Sequence, residues 1–151
     1  MATLKEVESA SLDYFGGNAL AANVFATKYP LSTPDGDILE MTPDDTHMRL
    51  AREFARIESK YENPLSVDEI YSYLKGYRYI IPQGSPMSGI GNPYQIQSIS
   101  NCFVVEQPHD SYGGILKTDQ EIIQICKRRG GVGTDISPLR PKGLPTLNAA
   151  K

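Results

Sequence analysis

Apolar positions recur at helical spacing through the first half of the chain. Leu4, Val7, Ser11 and Tyr14 fall on one face, and Gly16-Gly17 stops that segment. Asn18 is placed to cap a second helix running to about Tyr29, with Leu20, Ala21, Val24 and Phe25 as its expected buried stripe. Pro30 to Asp37 is turn chemistry, rich in Pro, Ser, Asp and Gly. Thr42-Pro43-Asp44-Asp45 then opens the strongest helix: a capping hydroxyl, a proline in the first turn and acids at the positive dipole end. Its predicted stripe is Leu50, Ala51, Phe54 and Ile57, leaving Arg49, Arg52, Glu53 and Arg56 to water. Ser66-Val67-Asp68-Glu69 is a capping box for a fourth helix that buries Val67, Ile70, Tyr71 and Leu74.

After Gly76 the texture changes. Pro82, Gly84, Pro86, Gly89, Gly91 and Pro93 interrupt any helix, so residues 77–93 are expected to be extended chain and loops. Ser98 to Val105 carries β-branched and aromatic residues between turn signals and predicts a strand. A loop over 106–113 leads to a helix over about 114–129, with Ile115, Ile122 and Cys126 on one face and Leu116 and Ile123 beside them. Lys127, Arg128 and Arg129 suit its negative dipole end, and Gly130-Gly131 terminates it. Residues 132–140 predict a second strand, broken by Pro138. The expected organisation is a helical lobe over 1–75 followed by the beginning of an α/β unit over 76–151.

Composition narrows the function classes. The 151 residues suffice for one domain with a hydrophobic core or for two small lobes. A net charge of -3 argues against a general nucleic-acid binder, which presents a basic face. No apolar run reaches the roughly 18 residues of a membrane span, and the start lacks a signal-peptide layout, so a cytoplasmic protein without a membrane segment is expected. Two cysteines and two histidines give neither a disulfide framework nor zinc-ligand spacing, so no metal is expected. His47 and His109 are expected to face solvent, and Cys126 to sit in the core.

Cys102 is the residue with the most chemistry. A cysteine inside a strand is most often a small buried hydrophobe. Ser98, Ser100 and Asn101, however, put polar groups beside it, and such groups usually have something polar to bind. The turns Gly84-Ser85-Pro86-Met87-Ser88-Gly89 and Arg129-Gly130-Gly131-Val132-Gly133 allow backbone to approach a ligand, although spacing alone makes both plain turns.

Five segments, in order, resemble the ribonucleotide reductase large chain. They are Pro82-Gln83-Gly84-Ser85-Pro86-Met87-Ser88-Gly89-Ile90-Gly91-Asn92, Ser98-Ile99-Ser100-Asn101-Cys102-Phe103-Val104-Val105, Asp110-Ser111-Tyr112-Gly113-Gly114-Ile115, Lys127-Arg128-Arg129-Gly130-Gly131-Val132-Gly133 and Leu139-Arg140-Pro141-Lys142-Gly143. The resemblance is to the amino-terminal part of that chain. It is closest to the adenosylcobalamin-dependent class II type, because nothing resembling the regulatory ATP-binding cone precedes the helical lobe.

The fold this implies is α+β to α/β: an N-terminal helical lobe followed by the first strand–helix–strand part of a ten-stranded α/β barrel. In that family a thiyl radical takes a hydrogen from the substrate ribose, and a cysteine pair supplies two electrons as the 2′-hydroxyl leaves as water. Cys102 matches one member of the pair; its partner and the radical-bearing cysteine are expected outside this chain. By the same match Ser85, Asn101, Cys102 and Gly131 bind substrate, and Asp110, Ser111 and Arg140 bind the deoxynucleotide effector. The implied activity is that of a ribonucleoside-diphosphate reductase, with this chain inactive alone. The implied partners are a C-terminal reductase chain, a second copy in a homodimer and a thioredoxin-like reductant. Adenosylcobalamin is implied with its main contacts outside the chain. The alternative is a non-catalytic nucleotide-binding or interaction module of the same fold.

Overall fold

A computed structural model describes residues 2–146; the end of the expected α/β unit, 147–151, lies outside the described residues. The chain forms two compact units, Met1–Asn101 and Cys102–Lys151. Both helix and a small parallel sheet are present, an α+β composition.

The first unit is built from helices that specify their own ends. Helix α1 (Leu4–Tyr14) starts at Thr3, whose hydroxyl accepts from the Glu6 N–H while the Glu6 carboxylate accepts from the Thr3 N–H. Helix α2 (Ala19–Lys28) starts at Asn18, whose Oδ1 accepts from the Ala21 N–H at 3.1 Å. Helix α3 (Pro43–Glu58) is started from the third turn position: Asp45 Oδ2 accepts from the N–H groups of Met41 and Thr42, both at 2.9 Å. Helix α4 (Val67–Leu74) carries the Ser66–Glu69 box. Sequence neighbours pair, α1 with α2 and α3 with α4. Val7, Phe25 and Ala26 seal the first pair, and Leu50, Ala51, Ile70 and Leu74 the second.

Four expectations for this unit are corrected. The α2 stripe is rotated by one position: Ala22, Phe25 and Ala26 are buried, whereas Leu20 is 75% exposed. Nearly every residue from Ala19 to Ala26 is apolar, so the pattern named no single face, and packing against α1 chose one. Arg49 does not face water: its side chain is 9% exposed and bonded to buried Glu40. His47 does not face solvent either and is fully buried. A short helix α5 (Gly84–Gly89) also replaces the loop expected there. Its proline sits in the first turn, where a missing N–H leaves no bond unmade.

The second unit is one strand–helix–strand crossover. Strand β1 (Cys102–Val104) pairs in parallel with β2 (Gly131–Gly133), with α6 (Tyr112–Cys126) between them in sequence. Both strands are shorter than expected. Before β1, Ser98 accepts from the Ser100 N–H and donates to its carbonyl, so that segment satisfies itself instead of a ladder. After β2, Asp135 Oδ1 accepts from the Ser137 N–H and turns the chain. Gly130 is needed for packing. A Cβ there would lie 2.6 Å from Ile125 Cγ2 and 2.9 Å from the Phe103 ring. Cys126 is exposed, not a core residue, and Leu116 and Ile123 are more than 60% exposed.

Candidate functional site

In the first unit the structure brings Ser85 and Asn101 together. The Ser85 N–H donates to Asn101 Oδ1 at 2.8 Å, and Asn101 Nδ2 donates to Gln83 Oε1 at 2.8 Å. Ser85 is buried in the first turn of α5. Its neighbour Ser88 donates to Gln97 Oε1 and to the Gly84 carbonyl, tying the 97–101 segment to the same helix. Gln83 had no expected role, and its place at the pair was not legible beforehand.

Behind α5 lies a buried charge network. Arg49 Nε donates to Glu40 Oε1 at 2.7 Å and Nη2 to Glu40 Oε2 at 3.3 Å. Glu40 Oε2 also accepts from Thr46 Oγ1 and the Leu31 N–H, both at 2.8 Å. The guanidinium donates onward to the carbonyls of Met87, at 2.9 Å, and Ile90.

A second buried group sits two residues before Arg49 on α3. The His47 ring meets Tyr77 edge-on at 4.6 Å between centroids, and Tyr77 stacks on Phe15. Tyr77 adopts a φ of 56°, a conformation such a residue keeps only where packing over-determines it. Neither His47 nitrogen has a hydrogen-bond partner, and Asp44 at 3.9 Å is too far for one. Burial holds the imidazole below its ordinary pKa against the opposing pull of Asp44 and Glu40, so the ring is neutral and the Asp44 contact is no ion pair. Asp44 instead accepts from the Tyr14 hydroxyl at 3.1 Å; burial first, and that carboxylate second, push the Tyr14 phenol well above its usual range.

In the second unit Cys102 and Gly131 are direct partners in the parallel register. The Cys102 thiol is free and exposed rather than buried, which suits exchange with another thiol. The three expected effector residues also cluster. Arg140 Nε donates to both carboxylate oxygens of Asp110, at 3.1 and 2.9 Å, and Nη1 to the Pro145 carbonyl. Ser111 caps α6, accepting from the Gly114 N–H at 3.0 Å. Gly114 is obligatory there: a Cβ would fall 2.3 Å from the His109 carbonyl oxygen. His109 itself is exposed.

Residues 100–150 match the family model of the ribonucleotide reductase barrel domain. The match covers about a third of the chain and contains Asn101, Cys102, Asp110, Ser111, Gly131 and Arg140. This segment is therefore similar to the barrel domain of an oxidoreductase family of deoxyribonucleotide synthesis. No curated protein matches the chain. Among the described residues no three or more His, Cys, Asp or Glu side chains gather to hold a metal, and no helix is long and apolar enough to cross a membrane.

Proposed function

We propose that this chain supplies the amino-terminal part of a ribonucleotide reductase large chain, with a helical lobe over 1–75 and the start of a ten-stranded barrel from 76. The observation carrying the reading is the β1–α6–β2 crossover inside the matched segment, where an exposed Cys102 lies opposite Gly131. Cys102 serves as one of two thiols that reduce the substrate. Both S–H bonds break and one S–S bond forms; the two electrons and two protons replace the C2′–OH bond by C2′–H and release water. An external dithiol, thioredoxin-like, reopens the disulfide. Ser85, Asn101 and Gly131 hold the ribonucleoside diphosphate. Asp110, Ser111 and Arg140 hold the effector deoxynucleotide, with the Arg140 fork passing from the Asp110 carboxylate to phosphate.

The second cysteine and the radical-bearing cysteine come from a C-terminal reductase chain, and a homodimer is expected of the assembly. Adenosylcobalamin, when bound to that assembly, supplies the radical. No side chain here is assigned to it: both described histidines are poorly placed as ligands, His47 sealed under Tyr77 and His109 on the exposed loop before α6.

Apolar surface supports a missing partner. Among the described residues after Asn101 no hydrophobic side chain is fully buried, while Val104 is 89% exposed on a three-residue strand. A two-stranded sheet with open edges is marginal alone. The test is co-purification of the tagged chain from its native host, followed by mass spectrometry and a cobalamin-dependent reductase assay. Recovery of a larger chain bearing the missing cysteines, with activity lost on Cys102→Ser, is the expected result. Activity unchanged by Cys102→Ser sinks the proposal.

A further inference from the structure

Helix α5 is too short to be stable by its own hydrogen bonds, so something else must fix it. At its far end Arg49 takes the Met87 and Ile90 carbonyls, two of the groups that a helix end leaves without partners. Gly91 follows at a φ of +71°, and a Cβ there would stand 3.0 Å from Arg49 Cγ, so the backbone lies directly on the arginine stem. At its near end is the Ser85 N–H bonded to Asn101. We infer that Arg49, clamped by Glu40, is a positioning residue that sets Ser85 and Asn101 through the rigid body of α5. This rests on the reading of those two residues as substrate contacts.

The Arg49–Glu40 pair is nearly sealed from water, and a buried ion pair is weak evidence for stability, because apolar residues of the same volume often do as well. What apolar residues cannot supply is direction. A planar fork with five donors fixes two carbonyls and a carboxylate at once, and a lysine in its place offers only a point charge.

Native-state amide exchange of the full chain reads the inference directly, comparing Arg49→Met and Arg49→Lys with the parent. Exchange at Ser85 should quicken by about tenfold or more, as expected for losing a charge-assisted bond, with amides of the α1–α2 pair unchanged. Arg49→Lys should recover part of the effect, and it carries the comparison alone if Arg49→Met does not fold. In the assembled reductase the nucleotide KM should rise by about tenfold with kcat largely kept. Unchanged exchange at Ser85 in a folded variant overturns the inference, as does quickened exchange with an unchanged KM. If the parent assembly uses no nucleotide, the reductase reading fails, and the Ser85 exchange rate still decides whether Arg49 positions the pair.

Discussion

His47 should make the first unit sensitive to mild acid. Its folded pKa is lowered by burial, while in the unfolded chain it titrates near 6.5. Below that pH the unfolded state takes a proton that the folded state refuses, so stability is complete above about pH 7 and falls as pH drops. If the buried ring stays neutral throughout, the loss between pH 7.5 and 5.5 is about 1.4 kcal/mol, a tenfold change in the folding constant. The carboxylates with lowered pKa values, Glu6, Glu53, Glu69 and Asp135, titrate below this window. Urea unfolding followed by helical circular dichroism at pH 7.5, 6.5 and 5.5 measures the slope. His47→Phe should abolish it and cost little at neutral pH, since both ring nitrogens already lack partners. His109→Gln, on an exposed loop, should leave it intact. A full slope surviving in His47→Phe, or one removed by His109→Gln, would refute the reasoning.

Other consequences can be checked singly. Gly130→Ala forces a methyl into Ile125 and Phe103 and should destabilise the β1–α6–β2 unit by about 1–3 kcal/mol, seen as faster amide exchange at Val132. Ser66→Ala removes the cap of α4 and should cost about 1 kcal/mol in urea unfolding. Cys102 and Cys126 should both react with a thiol reagent in the native chain without denaturant; protection of Cys126 would restore it to a core.

Legibility followed how local the physics was. The starts at Asn18 and Ser66 were readable because a cap needs only residues within one turn. The β–α–β order was readable from the change of hydrophobic period, but strand length was not, since Ser98 and Asp135 divert the chain into local bonds. Arg49 and Glu40 stayed hidden because their pairing spans nine residues and residue type argued for water. His47 did leave a signal. Pro43, Thr46, His47, Leu50 and Ala51 follow the i, i+3, i+4, i+7, i+8 spacing of one helix face, and all are buried. Polar identity at two of those positions masked it. In the candidate site Ser85 is bonded to Asn101 and Asp110 to Arg140, contacts across 16 and 30 residues that no local pattern could indicate.

The pairing of neighbouring helices has a consequence for how the molecule is made. Short sequence separations close quickly, whereas parallel strands must first close the whole crossover from Cys102 to Gly131. The first unit, Met1–Asn101, thus holds the helix pairs whose contacts close soonest. The unit that follows, Cys102–Lys151, carries a two-stranded sheet and an exposed thiol, and any time it spends uncovered is time in which it can aggregate or oxidise.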